Sequence, residues 1–274
     1  MRKFATIAWA AAPLLCGAIS ANGALVYSTP GSTVTQDLDR PAGSAATAAW
    51  VDNSTIPNWY AYQFGGTTQG AGPVPEYRRT NGYSATGATD GTASWLYHFR
   101  SSTTTTDHAL GAINKDAVGD MAIGIPIQNN TGQTLGSFTL GYTGEQWADR
   151  NTTPQSLTVA YRIGTDENSS SLSEAQAWTA IPQLTFTSPT NNGNAGVLDG
   201  NATANRTVFS PVLVENLNWE PGQILWIRWF DLNHSGNDHG LAVDDVTFSA
   251  QVIPEPASLG LLALGAVLLT RRRR

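Results

Sequence analysis

Leu157-Thr158-Val159-Ala160-Tyr161-Arg162-Ile163 alternates along a period of two, as does Phe138-Thr139-Leu140-Gly141-Tyr142 before it. Successive side chains of a strand face opposite sides of its sheet. Leu157, Val159, Tyr161 and Ile163 therefore share one buried face, with Thr158, Ala160 and Arg162 on the other. Downstream, Val208 to Val214 reads as a neighbouring strand, Ile224 to Trp229 is apolar on both faces apart from Arg228, and Leu241 to Phe248 closes the body. Upstream, Trp59 to Phe64 is an aromatic strand closed by Gly65-Gly66. Ser94 to Phe99 places Trp95, Tyr97 and Phe99 on one face, and Asp116 to Ile127 reads as a strand ending at Pro126. Residues 28–49 hold polar turns, residues 65–92 a Gly-, Pro- and Thr-rich excursion, and Ser171 to Trp178 the one short helix, capped by Ser171 or Ser173. Short strands separated by Gly, Asn and Pro turns, with almost no helical period, predict an all-β, two-sheet sandwich.

The two ends differ from this body. Residues 1–23 run from Arg2-Lys3 through an apolar stretch to small residues, the order of a secretory signal peptide, with Ala24 as the expected mature start. Cys16, the only cysteine, lies in that segment, so a mature body of residues 24–252 has no thiol chemistry. Residues 24–253 keep nine basic and twenty acidic side chains, a net charge of −11 that repels nucleic acid.

The C-terminal segment, residues 253–274, reads Ile253-Pro254-Glu255-Pro256, an apolar run from Ala257 to Leu269, Thr270, and Arg271-Arg272-Arg273-Arg274. As a helix, residues 257–269 would reach about 20 Å at ~1.5 Å per residue, short of a hydrocarbon core of ~30 Å. The arginines would stay cytoplasmic as a basic stop, leaving Pro254, Glu255 and Pro256 outside. A short apolar helix, a stiff motif and a basic stop suit a transient membrane hold. This tail resembles the PEP-CTERM sorting signal of biofilm-forming Gram-negative bacteria. The resemblance implies export by the secretion machinery, a precursor held in the inner membrane, and recognition by exosortase, a membrane cysteine transpeptidase. It also implies a final place in the envelope or outside the cell, in an exopolysaccharide setting.

Residues 136–250 resemble a jelly-roll, concanavalin A-like module of exported bacterial proteins. The resemblance rests on Gly141-Tyr142-Thr143-Gly144-Glu145-Gln146-Trp147, Leu198-Asp199-Gly200-Asn201, Trp226-Ile227-Arg228-Trp229-Phe230-Asp231 and the run Ser235 to Asp245. It implies a jelly-roll-like sandwich for the body.

Several constellations bear on chemistry. Asp231, Asn233, Ser235 and Asn237 are spaced like the first half of a calcium loop, with Asp238 next to them, and Asp244 or Asp245 would return from the next strand as a ligand of a structural calcium ion. The twelfth position is Ala242, not the glutamate of an EF-hand. The same side chains also suit Asx turns, with Arg228 paired to one carboxylate. His234 and His239 flank this loop, whereas His98 and His108 stand apart along the chain without a motif. Glu145 is a candidate half of a glycosidase carboxylate pair whose partner spacing alone does not reveal. Trp59, Tyr60 and Tyr62, or Trp147 and Trp178, are candidates for an aromatic platform that stacks on sugars, with burial in the core as the competing reading. The run Thr103 to Thr106 lacks the spacing of an ice-binding ladder, and no serine-nucleophile elbow, phosphate loop or nucleotide fingerprint is present.

The first expectation is accordingly a non-enzymatic envelope or matrix protein, structural or weakly glycan-binding, without a catalytic residue. The alternative is a secreted glycosidase- or nuclease-like hydrolase using Glu145 or the acidic loop 231–245.

Overall fold

A computed structural model describes residues 23–39, 46–79, 96–102, 104–193 and 196–253. The expected signal peptide, apart from residue 23, lies outside the described residues, as do Ser94-Trp95, Thr103 and the tail from residue 254. Among the described residues no helix is long and apolar enough to cross a membrane.

The chain builds two sheets. In order, the strands are β1 (Leu25–Tyr27), β2 (Val34–Gln36), β3 (Ala46–Ala49), β4 (Tyr60–Gln63), β5 (Gly72–Pro73) and β6 (Glu76–Arg79). Then come β7 (Leu96–Phe99), β8 (Ala109–Ala112), β9 (Met121–Asn129), β10 (Leu135–Asp149), β11 (Ser156–Gly164) and β12 (Thr179–Ala180). The last are β13 (Phe186–Thr187), β14 (Gly196–Val197), β15 (Arg206–Val214), β16 (Ile224–Asp231) and β17 (Gly240–Val252). The first sheet runs β12-β11-β16-β9-β4-β5, with β1 on β9 and β13 on β11. The second runs β14-β10-β17-β8-β7-β6-β3, with β15 on β10 and β2 on β17. The predicted two-sheet sandwich is therefore present.

Trp229 on β16 joins the sheets. Its ring lies 5.5 Å from that of Trp59 and 5.6 Å, edge on, from that of Tyr142 on β10. All three rings are buried, and Leu225 and Ile227 continue the same inner face of β16. A second aromatic group, Tyr27, Phe138, Trp219 and Phe248, fills the other part of the interior, with ring separations of 5.5 Å for Tyr27–Phe248 and 5.6 Å for Phe138–Phe248.

Two local expectations are corrected. The strand expected to end at Pro126 continues to Asn129. β4 covers β9 only as far as Gly124 and β1 begins at Ile127, so Pro126 falls in the gap between two short neighbours, where strand proline is tolerated. The expected helix at 171–178 is a single 3-10 turn at Ser169–Leu172, followed by an irregular segment. Serine-rich sequence favours local side-chain bonds over helix continuation, and Ser171 Oγ donates to Asp166 Oδ2.

β17 carries the decisive irregularity. Thr143 pairs with Asp244 and Gly141 with Thr247, so one residue of β10 faces two of β17. Asp245 occupies the left-handed region at φ +50° and is exposed. This bulge resets the alternation: Val243 and Val246 both enter the core, while Asp244 turns to the outer face.

Glycines permit the closest approaches. A Cβ on Gly111 would overlap the carbonyl oxygen of Leu241 in the neighbouring strand β17. Gly111→Ala is therefore expected to destabilise the protein by about 1–3 kcal/mol, the usual cost of overpacking. Gly70→Ala, with nothing within 4 Å of its Cβ, should be near neutral. Urea unfolding of both variants checks this, and equal midpoints would refute the close-packing account.

Candidate functional site

The outer face of the first sheet is built in cross-strand rows. Tyr62, Ala122, Phe230 and Thr158 form one row across β4, β9, β16 and β11; Tyr60, Gly124, Arg228 and Ala160 form the next. Beyond them Trp226 stands beside Arg162. The rings interlock edge to face: Tyr62–Phe64, Phe64–Phe230 and Tyr60–Trp226 each have centroids 5.2 Å apart.

Part of this face is covered by the segment between β11 and β12. Leu172 sits over Gly124, where an added Cβ would meet its Cδ2 at 2.5 Å. Arg228 Nη1 donates to the Leu172 carbonyl at 2.9 Å and pairs with Glu174 Oε1 at 2.7 Å. Arg162 Nε donates to the Ser171 carbonyl at 3.2 Å, and its Nη2 donates to Asp166 Oδ2 at 2.7 Å. The Trp226 indole donates to the Asp166 carbonyl at 2.7 Å. Trp178 then lies against the Arg228 guanidinium, 4.2 Å from its ring centroid, with Phe230 at 5.0 Å on the same cation. Tyr62, Phe64, Trp178 and Phe230 remain half-buried, leaving ring surface open to solvent. The expected aromatic platforms are thus redistributed. Tyr62 and Trp178 share this face, whereas Trp59, Tyr60 and Trp147 are buried. Sequence reasoning missed Phe64 and Phe230; the apolar character of both faces of β16 was the available signal. Arg228 pairs with Glu174 and not with a carboxylate of the 231–245 loop.

On the outer face of the second sheet, Glu145 acquires the neighbour that spacing concealed. Asp244 stands diagonally across from it on β17. Both are sealed, at 1 % exposure for Glu145 and 4 % for Asp244. Trp147 Nε1 donates to Glu145 Oε2 at 2.9 Å, and the rings of Trp147, Phe99 and Tyr97 stack in sequence. Gly200 lies flush against the Trp147 indole, leaving no room for a Cβ. Burial pushes the Glu145 carboxyl up to about 7. Burial first, then the charge of Glu145, pushes Asp244 up to about 10. The structure contains a cavity of about 430 Å³ beside Gly136, Glu215, Leu217 and Ile253, and a void of about 10 Å³ beside Asp231 and Trp229. Neither is lined by Glu145 or Asp244.

The acidic loop divides. Asp231, Asn233 and Asp238 stay together at the end of β16 and are joined by Asn114, Asp116 and Asp120, which spacing within the loop did not reveal. Ser235 and Asn237 are exposed, and the Asn237 carbonyl accepts from Asn151 Nδ2 at 2.7 Å and Gln155 Nε2 at 3.2 Å. Asp244 and Asp245 belong instead to the Glu145 region. Among the described residues no three His, Cys, Asp or Glu side chains gather to hold a metal. His234 Nδ1 lies 3.4 Å from Asp238 Oδ1, and buried His239 accepts from the Arg150 amide at 3.1 Å. His98 and His108, ten residues apart, stack at 4.4 Å because β7 and β8 are paired neighbours.

The carboxyl pair has a stability consequence. A carboxyl whose folded pKa is raised takes up a proton on folding. Its stabilising contribution is full below its ordinary value near 4 and is lost as pH climbs, through about 7 for Glu145 and towards about 10 for Asp244. Asp244→Asn keeps the shape and removes the ionisation. It should stabilise the protein more at pH 8 than at pH 5, by on the order of 2–4 kcal/mol. Urea unfolding at both pH values tests this, and a difference independent of pH would refute the assignment.

Comparison with known proteins identifies the tail and leaves the body without a close relative. The protein-family model for the PEP-CTERM protein-sorting motif matches residues 252–274. No curated protein sequence matches the chain. Among solved structures the chain is similar to TmCBM61 in complex with β-1,4-galactotriose, at 9% identity and TM-score 0.27, covering 54% of this chain and 73% of that one. It is also similar to the K1 adhesin domain of Lys-gingipain from Porphyromonas gingivalis W83, at 10% identity and TM-score 0.31, covering 81% and 99%. A third likeness is to the exo-β-1,3-galactanase of Phanerochaete chrysosporium, at 10% identity and TM-score 0.25, covering 79% of this chain but only 29% of that one. At such scores none of these likenesses transfers an activity. The tail match is of a different kind: residues 252–274 are a PEP-CTERM protein-sorting motif, the mark of an exported, exosortase-processed protein.

Proposed function

We propose that this chain is a non-enzymatic protein of the cell envelope or extracellular matrix that binds its host's exopolysaccharide weakly through the outer face of the first sheet. The observation that carries the reading is the set of half-buried rings Tyr62, Phe64, Trp178 and Phe230 arranged around the Arg228 guanidinium. Sugar rings offer C–H faces that pack on aromatic surface, and the buried Arg228 guanidinium holds Trp178 and Phe230 in place from below. Tyr62 and Phe230 stand on strands, and Arg162 and Arg228 tie down the segment that carries Trp178, which lowers the ordering cost on binding.

The hydrolase alternative is less well supported. A glycosidase needs two carboxyls converging on substrate and water, and Glu145 and Asp244 are sealed from both. A nuclease acting through the 231–245 loop would meet phosphate repulsion from a body of net charge −11.

In the native host, the mass of the mature protein should fall by the length of the tail only when exosortase is present. An intact tail in both strains would make residues 257–274 a plain anchor. The processed protein should then be retarded by the host's own exopolysaccharide in affinity electrophoresis. Trp178→Ala and Phe230→Ala should each weaken binding by about 2 kcal/mol, roughly thirty-fold, while Asp199→Ala on the other sheet should not. Equal binding by all variants, or release of shortened saccharides, would refute the reading.

A further inference from the structure

We propose that the end of the sandwich formed by Asn114, Asp231, Asn233 and Asp238 binds one hard divalent cation of the calcium class. Three separate stretches meet there: the turn after β8, the end of β16, and the loop entering β17. Asn114 is 1 % exposed, and its Nδ2 donates to the Asp231 carbonyl at 2.7 Å. The Asn233 amide donates to Asp120 Oδ1 at 2.8 Å, and its Nδ2 donates to Asp116 Oδ1 at 3.0 Å. Asp238, 2 % exposed, accepts the His234 amide on Oδ1 at 2.9 Å.

These bonds use the asparagine nitrogens and one oxygen of Asp238, and leave other oxygens over. Asn114 Oδ1, Asp231 Oδ2, Asn233 Oδ1 and Asp238 Oδ2 are all buried and have no hydrogen-bond partner among the described residues. Buried acceptors are almost always satisfied, and the four oxygens in this corner all lack a donor or a cation. Asp238 and Asp120 also act on Asp231 as like charges, so negative charge gathers in this corner.

The donor set selects the ion. Two carboxylates and two amide carbonyls, without thiolate or a set of imidazoles, suit a hard cation that fills its remaining positions with backbone oxygens or water. A cation there would tie β8 and β17 of the second sheet to β9 and β16 of the first. It would bind the folded state alone and raise its stability with concentration.

The test uses the full processed protein. Thermal unfolding should shift upward as calcium chloride is added and return with chelator, and calorimetric titration with calcium should report a single site. Asp238→Asn and Asn114→Ala should each weaken calcium binding by roughly tenfold or more, since charge and ligand number set affinity in such sites. Asp199→Asn should bind as the parent does. If Asp238→Asn fails to fold, Asn233→Ala, at a half-exposed position, provides the same readout. The proposal is overturned if the parent protein shows neither heat nor a melting shift with calcium or magnesium. It is equally overturned if the Asn114, Asn233 and Asp238 variants keep the full effect.

Discussion

Burial of both faces of β16 is the constraint on which the rest of the structure depends. Its inner face carries Leu225, Ile227 and Trp229 into the shared core; its outer face carries Ile224, Trp226, Arg228 and Phe230. A sheet buried on both sides is usually covered by helices. Here the irregular segment 165–178 is the cover. Its backbone carbonyls need donors, and Arg162, Arg228 and the Trp226 indole supply them from the sheet below. A guanidinium with several fixed donors suits this task better than a lysine. The charge of the two buried arginines is compensated, since each also reaches a carboxylate, Asp166 or Glu174.

The second sheet depends on one irregular residue. Without the bulge at Asp245, β17 would present a single parity along its length, and either Val243 or Val246 would leave the core. With it, both stay inside and Asp244 is turned towards Glu145. The resulting carboxyl pair is sealed beneath Trp147 and the Gly200 turn, and burial raises Glu145 to about 7 and Asp244 to about 10. This arrangement favours packing over ionisation, the reverse of what a hydrolytic site requires.

β17 also links body and tail. It pairs with β10 as far as Val252, and the Ile253 amide still reaches the Thr134 carbonyl at 3.4 Å. Pro254 follows immediately and has no N–H to extend the ladder. The sorting motif thus begins where the sandwich ends, with no intervening linker.

How much was legible in the sequence follows from the range of the forces involved. Period-two alternation in Leu157 to Ile163, the turn residues between strands, the charge of the body and the three-part tail are local or compositional, and the amino-acid order alone determined them. Partition of the aromatics was not local: Trp59 and Tyr62 lie three residues apart, yet one is sealed between the sheets and the other is half-open to solvent. The partner of Glu145 is ninety-nine residues away and depends on a bulge that leaves no periodic trace. Likewise the acidic loop read as one constellation because its members are adjacent in sequence. The tertiary structure divided it, since strand pairing carries Asp244 to the second sheet and brings Asn114 to Asp231. Alternation along a strand decides which side chains are buried; only the register between distant strands decides which buried side chains meet.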